Sequence, residues 1–240
     1  MIVEVCANSL QSALNAQLAG ADRIELCSEL GVGGITPSYG LLKKVKEVIR
    51  LPVHVLIRPR SGDFMYSDSE FQIMKVNILQ CREMGFEGIV SGVLNSDFTI
   101  DMPRTSELRQ LAGDMTFTFH RAFDWIKDPI VGLVQLEKLG IQYVLSSGQK
   151  PSAPEGISLL KQLHEKSTDC KIMPGAGINE LSVHEFIEAG FEAIHLSGTK
   201  FHRTLPFLPE VPMNSAAFLR EDYLAVTDPD RIREIVKRVK

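Results

Sequence analysis

Residues 23–40 read R-I-E-L-C-S-E-L-G-V-G-G-I-T-P-S-Y-G. The first five residues form a β-rich run in which Ile24 and Leu26 alternate with Glu25 and Cys27. Side chains on a strand point to opposite faces in turn, so the acid and the thiol share one face. Gly31, Gly33 and Gly34 then make a flexible loop, and a helical pattern over 41–49 follows Pro37. Upstream, Val3-Glu4-Val5-Cys6 has the same apolar–acid–apolar–thiol order. It precedes Leu10, Ala13, Leu14 and Leu18 at helical spacing, with Ser9 as an N-cap.

This strand–loop–helix unit recurs along the chain. Further β-rich runs lie at 53–58, 88–93, 116–120, 143–147, 171–174 and 193–197. Helical patterns over 68–84, 104–111, 129–139, 155–164, 182–189 and 230–239 follow them. Eight such units, at about 30 residues each, match the count of a (β/α)8 TIM barrel. A doubly wound open sheet is the alternative, but no G-x-G-x-x-G follows the first strand. We expect a single TIM-barrel domain over residues 1–240. A long irregular segment, 198–228, lies between the last strand and the last helix, where Pro206, Pro209 and Pro212 discourage a helix. Three Phe in that segment are costly to leave in water. Phe201, Leu205, Phe207 and Leu208 are therefore expected against the barrel mouth, and Phe218 and Leu219 against a second subunit.

With 240 residues, 44% hydrophobic, the chain is long enough for one large domain, or at most two small ones. A net charge of −4 and the absence of a Lys/Arg stripe argue against nucleic acid or an anionic membrane as partner. No apolar run approaches a membrane span, and Met1 leads straight into a β-rich run, so a cytoplasmic protein is expected. Cys6, Cys27, Cys81 and Cys170 form no C-x-x-C, and the ordinary reading of each is a reduced, small buried hydrophobe.

Strand parity locates the interior. Glu4 with Cys6, Glu25 with Cys27, His54 with Leu56 and Arg58, Thr118 with His120, and His195 with Ser197 each share a face. A buried carboxylate needs a partner, and Arg58 is the expected neighbour of Glu25, with His120 available to either Glu. The loops after the strands add Arg60 and Asp63, then Arg121 and Asp124. Charged residues at the C-terminal ends of barrel strands read as site residues. The turns at Gly175, Gly177 and Ser197-Gly198 are of the kind that cradles phosphate.

These stretches resemble the copper homeostasis protein CutC family over nearly the whole chain. The resemblance is carried by Glu4-Val5-Cys6, by Ala21-Asp22-Arg23-Ile24-Glu25-Leu26-Cys27-Ser28, and by Gly33-Gly34-Ile35-Thr36-Pro37-Ser38. It continues in Ile57-Arg58-Pro59-Arg60, Thr118-Phe119-His120-Arg121-Ala122-Phe123-Asp124, Met173-Pro174-Gly175, and His195 with Ser197. The chain departs from the family pattern at Asp97-Phe98, Ser146 and Ala176. The resemblance implies a TIM barrel, a cytoplasmic homodimer or higher homo-oligomer, and copper handling with Cu(I) on Cys6 and Cys27.

The residues themselves leave two functions open. Two thiolates suit Cu(I), a soft ion. The surrounding Glu, Arg and His set suits an enzyme acting on a small anionic metabolite. There Glu4, Glu25 and His120 would be the acid–base groups. Arg58, Arg60, Asp63, Arg121, Asp124, Gly175, Gly177, His195 and Ser197 would line the ligand site.

Overall fold

The computed structural model describes residues 1–211, 213 and 221–240. Strands and helices alternate from β1 (Ile2–Ala7) and α1 (Leu10–Leu18) through β2 (Arg23–Leu26) and α2 (Tyr39–Val48) to β3 (Val53–Leu56) and α3 (Asp68–Glu83). Then come β4 (Gly88–Ser91), α4 (Met102–Ala112), β5 (Thr116–Phe119), α5 (Pro129–Lys138), β6 (Tyr143–Ser146) and α6 (Ile157–Lys166). The series ends with β7 (Lys171–Pro174), α7 (Val183–Glu188), β8 (Ala193–Leu196), a hairpin of β9 (Thr199–Arg203) and β10 (Tyr223–Thr227), and α8 (Pro229–Val239).

Strands β1 to β8 are parallel, in the order β7-β6-β5-β4-β3-β2-β1-β8. Gly175, just past β7, bridges His195 of β8 and draws the two edges together. The result is a nearly closed (β/α)8 barrel, as the unit count predicts. Local chemistry sets the helix starts. Ser9 accepts from the Ser12 N–H, Ser67 and Glu70 form a reciprocal capping box, and Asp128 caps α5 ahead of Pro129. The outward strand faces, such as Val3, Val5, Ile24 and Ile194, pack with helix residues such as Phe71, Met74 and Ile78 in one continuous apolar layer. That layer leaves the inward faces free to carry polar groups.

Cys81 and Cys170 lie in this layer, and burial pushes both thiols up to about 12. Among the described residues no helix is long and apolar enough to cross a membrane.

The segment after β8 differs from expectation. Its two ends pair as an antiparallel ribbon, Thr199 opposite Thr227 and Arg203 opposite Tyr223. Of the apolar residues expected at the mouth, only Phe201 lies on the ribbon, and Leu205, Phe207 and Leu208 follow its first strand. Phe201 is 67%, Leu205 37%, Phe207 81% and Leu208 63% exposed, which corrects the expected packing against the mouth. The base is tied to α1 instead. Asn8 and Asn15 donate to the carbonyls of Ala225 and Thr227, and the Thr227 N–H donates to Ser12 Oγ. Phe218 and Leu219 lie outside the described residues.

Candidate functional site

The strand register places Glu4 opposite Arg23 on one side and His195 on the other, and Cys6 opposite Glu25. Glu4 is fully buried. Its carboxylate accepts from Arg23 Nε through one oxygen, and its other oxygen lies 2.8 Å from His195 Nδ1. His54 Nδ1 is 3.8 Å away. The Arg23 guanidinium stacks 4.4 Å from the Tyr143 ring centroid, and its Nη2 contacts Met173 Sδ at 3.4 Å. An ion pair thus crosses the middle of the barrel over an apolar floor of Tyr143, Leu145, Met173 and Ala193.

One layer nearer the C-terminal face, Cys6 Sγ lies 3.5 Å from Glu25 Oε1 and 3.6 Å from Cys27 Sγ. Donor atoms of Cys6, Glu25 and His195 all lie within 4.8 Å of one another. Leu56, Val90 and Leu30 pack around the two thiols. Gly34 closes over Cys27. A Cβ on Gly34 would sit 2.7 Å from Leu56 Cδ2 and 3.3 Å from Cys27 Cβ, so only glycine permits this approach.

The electrostatics follow from burial and pairing. Burial opposes ionisation of Glu4, yet Arg23 and His195 hold its carboxyl far below the usual carboxylate range. Burial raises Glu25, aided by the nearby Glu4 charge and only partly offset by His195. Burial disfavours His195 as a cation, but Glu25 and Glu4 overcome it and raise the imidazole. The hydrogen bond with Cys27, burial and the Glu25 charge push the Cys6 thiol well above its normal value. His54, desolvated and facing Arg23, falls to about 4. His120, desolvated and near Arg58, falls to about 3.

Above this layer opens a cavity of about 880 Å³ at the C-terminal ends of the strands. Of the sequence-predicted site residues, Cys6, Glu25, Arg58, His120, Arg121, Gly177, His195 and Ser197 line it. Cys27 lies directly behind Cys6. The others do not line it. Glu4 is beneath, in the ion-pair layer. Arg60 and Asp63 pair with each other at 3.0 Å, and Arg60 also reaches Glu70. Asp124 accepts from Ser146 Oγ, the Ser147 N–H and the Gln149 N–H, fixing the loop after β6, and pairs with Arg121 at 2.8 Å. Gly175 serves barrel closure.

Two expected pairings are corrected. Arg58 leaves β3 beyond the Glu25 level, and its guanidinium donates to the carbonyls of Val32, Gly34 and Gly62 rather than to Glu25. His120 turns back on its own chain, where Nδ1 accepts from the Ala122 N–H, and reaches neither Glu. The partner that sequence reasoning missed is Arg23. Its parity with Glu25 and Cys27 was the signal, obscured because a charged first residue of a strand reads as a boundary.

Comparison with known proteins agrees with this architecture. The CutC family model matches residues 1–200. A family protein named CutC from Photorhabdus laumondii is 48% identical over 198 residues, covering 82% of this chain and 80% of its own. A solved structure named as a copper homeostasis protein CutC, from Streptococcus agalactiae, is 32% identical with a TM-score of 0.78, over 82% of this chain and 98% of that one. Thiamine phosphate pyrophosphorylase of Pyrococcus furiosus, at 14% identity and a TM-score of 0.57 over 99% of this chain and 95% of its own, shares the fold alone. From the match over residues 1–200, the 48% identity and the shared barrel, the chain belongs to the CutC family.

Proposed function

We propose that this protein serves copper homeostasis by binding Cu(I) between Cys6 and Cys27. The observation that carries this reading is the pair of sulfurs 3.6 Å apart, with Cys6 lining the cavity and Cys27 buried behind it. A metal–thiolate bond of about 2.3 Å needs the sulfurs about 4.6 Å apart for linear coordination. Widening by about 1 Å is within the reach of side-chain rotation. Soft thiolates select Cu(I), and Glu25 and His195 beside Cys6 supply a proton acceptor and a further donor as the thiols deprotonate. The names of the family relatives point the same way.

Anaerobic Cu(I) titration against a competing chelator tests the reading. One ion per chain is expected, with a loss in Cys6→Ser/Cys27→Ser larger than the roughly 10–100-fold typical of a supporting residue. His195→Ala is expected within that range. Equal affinity in the double variant refutes the proposal.

The cytoplasmic homodimer expected from the resemblance belongs to the same reading. Its support is the run of apolar side chains that the ribbon leaves exposed, Phe207 and Leu208 foremost. Sedimentation of the parent and of Phe207→Asp/Leu208→Asp decides it, and a monomeric parent refutes it.

A further inference from the structure

The cavity is built for more than a bare ion. Its volume, about 880 Å³, is that of a small-molecule site. Three polar atoms of residues that line it are buried and have no hydrogen-bond partner: Arg58 Nε, His120 Nε2 and Glu25 Oε2. Each of these residues is 5% exposed. Buried polar groups are almost always satisfied. Of eight buried side-chain atoms without a partner among the described residues, three belong to residues of this one cavity, where a ligand would satisfy them.

The orphans have definite chemistry. Nδ1 of His120 accepts from the Ala122 N–H, so the ring proton sits on Nε2, which is a donor. Arg58 Nε is also a donor. The guanidinium is buried; it donates to the carbonyls of Val32, Gly34 and Gly62, and the Tyr66 hydroxyl lies beside it. Those carbonyls supply dipoles and no compensating charge, and Arg58 makes no ion pair among the described residues. A buried cation beside a neutral N–H donor fits an oxyanion. The Phe64 ring links the two, lying 4.8 Å from the His120 ring and 5.2 Å from the Arg58 guanidinium.

Glu25 lies on β2, three strands round the barrel from β5, which His120 directly follows. Its orphan oxygen, Oε2, lies 3.9 Å from His195 Nδ1 without a hydrogen bond. A hydroxyl satisfies it in either protonation state, since a hydroxyl both donates and accepts. Arg58 ties the loops of 29–34 and 59–64 together through the carbonyls of Val32, Gly34 and Gly62.

We propose that the cavity binds a small hydroxylated oxyanion, either a hydroxycarboxylate or a phosphate ester. Its anionic group sits on Arg58 and His120, and a hydroxyl sits on Glu25. Glu25 is shared with the thiol layer, where its other oxygen lies 3.5 Å from Cys6 Sγ.

Calorimetric titration with D-glycerate and with glycerol 3-phosphate separates the two sources, and acetate and inorganic phosphate serve as unhydroxylated controls. At least one hydroxylated probe is expected to bind at least tenfold tighter than its control. Binding is expected to fall at least tenfold in His120→Phe and to be retained in His120→Gln, which keeps a donor. It should also persist in Arg60→Gln, which changes a surface arginine, and in Cys6→Ser/Cys27→Ser, so the result does not depend on copper. Absence of binding by both hydroxylated probes overturns the proposal, as does binding that His120→Phe leaves intact. Equal binding of probe and control overturns the Glu25 contact. Should His120→Phe fail to fold, loss of the hydroxylated preference in Glu25→Gln decides in its place, and its persistence overturns the site.

Discussion

Glu4 stands fully buried between Arg23 and His195. Removing one partner of a buried ion pair strands the others and costs about 3–5 kcal/mol. Glu4→Gln is therefore expected to lower the urea midpoint by a corresponding amount with an unchanged slope, measured by circular dichroism. The neutral histidines set the acid response. His54 falls to about 4 and His120 to about 3, below the unfolded value of about 6.5. A lowered histidine contributes stability that is present above the unfolded value and lost as pH falls toward the folded one. His195 is raised, so its contribution is fully present below about 6.5 and is lost only as pH rises above that, outside the acid window. The histidine contribution to stability is therefore expected to fall between about pH 6.5 and pH 3, by at most about 1.4 kcal/mol per pH unit for each of His54 and His120. His120→Gln should make that slope shallower in pH-dependent urea melts. A slope unchanged in the variant contradicts the assignment.

At the scale of elements, the loop after β2 closes the thiol layer. Gly34 has φ +85°, and a Cβ there would crowd Leu56 and Cys27. Gly34→Ala is expected to cost about 1–3 kcal/mol through the backbone conformation alone, with more from the contact. Thermal melts would show it, and faster modification of Cys27 by a thiol reagent would show that the cover has lifted. An unchanged melting temperature contradicts the close approach. Gly88 has the matching role in the layer below, where a Cβ would fall 2.4 Å from the His54 ring. The site thus depends on small residues of elements that carry no chemistry.

For the whole molecule, closure depends on residues beyond the stretch matched by the family model. Helix α8 buries Ile232 and Ile235 in the continuous apolar layer, and β10 is stitched to α1. A chain ending at residue 200 loses both and exposes the faces of α1 and α7 that α8 covers. It is expected to lack the cooperative melt of the parent by circular dichroism. A cooperative melt in the truncated chain would show that the barrel closes without α8.

The barrel itself was legible in the sequence, because eight alternations of period-2 and period-3.6 patterning depend only on local residue order. So was the inward direction of Glu4, Cys6, Glu25, Cys27, His120 and His195, since parity along a strand is fixed by covalent geometry. The ribbon of 199–227 was not legible, because its pairing joins residues separated by the whole length of the segment. The partners of the buried charges were equally hidden. Whether Glu4 meets Arg23 or Arg58 is set by register between neighbouring strands, and register is a property of the closed barrel and not of any one strand. Sequence determined which side chains enter the interior. Tertiary structure alone decided which of them meet, which remain without a partner, and how close the two sulfurs lie.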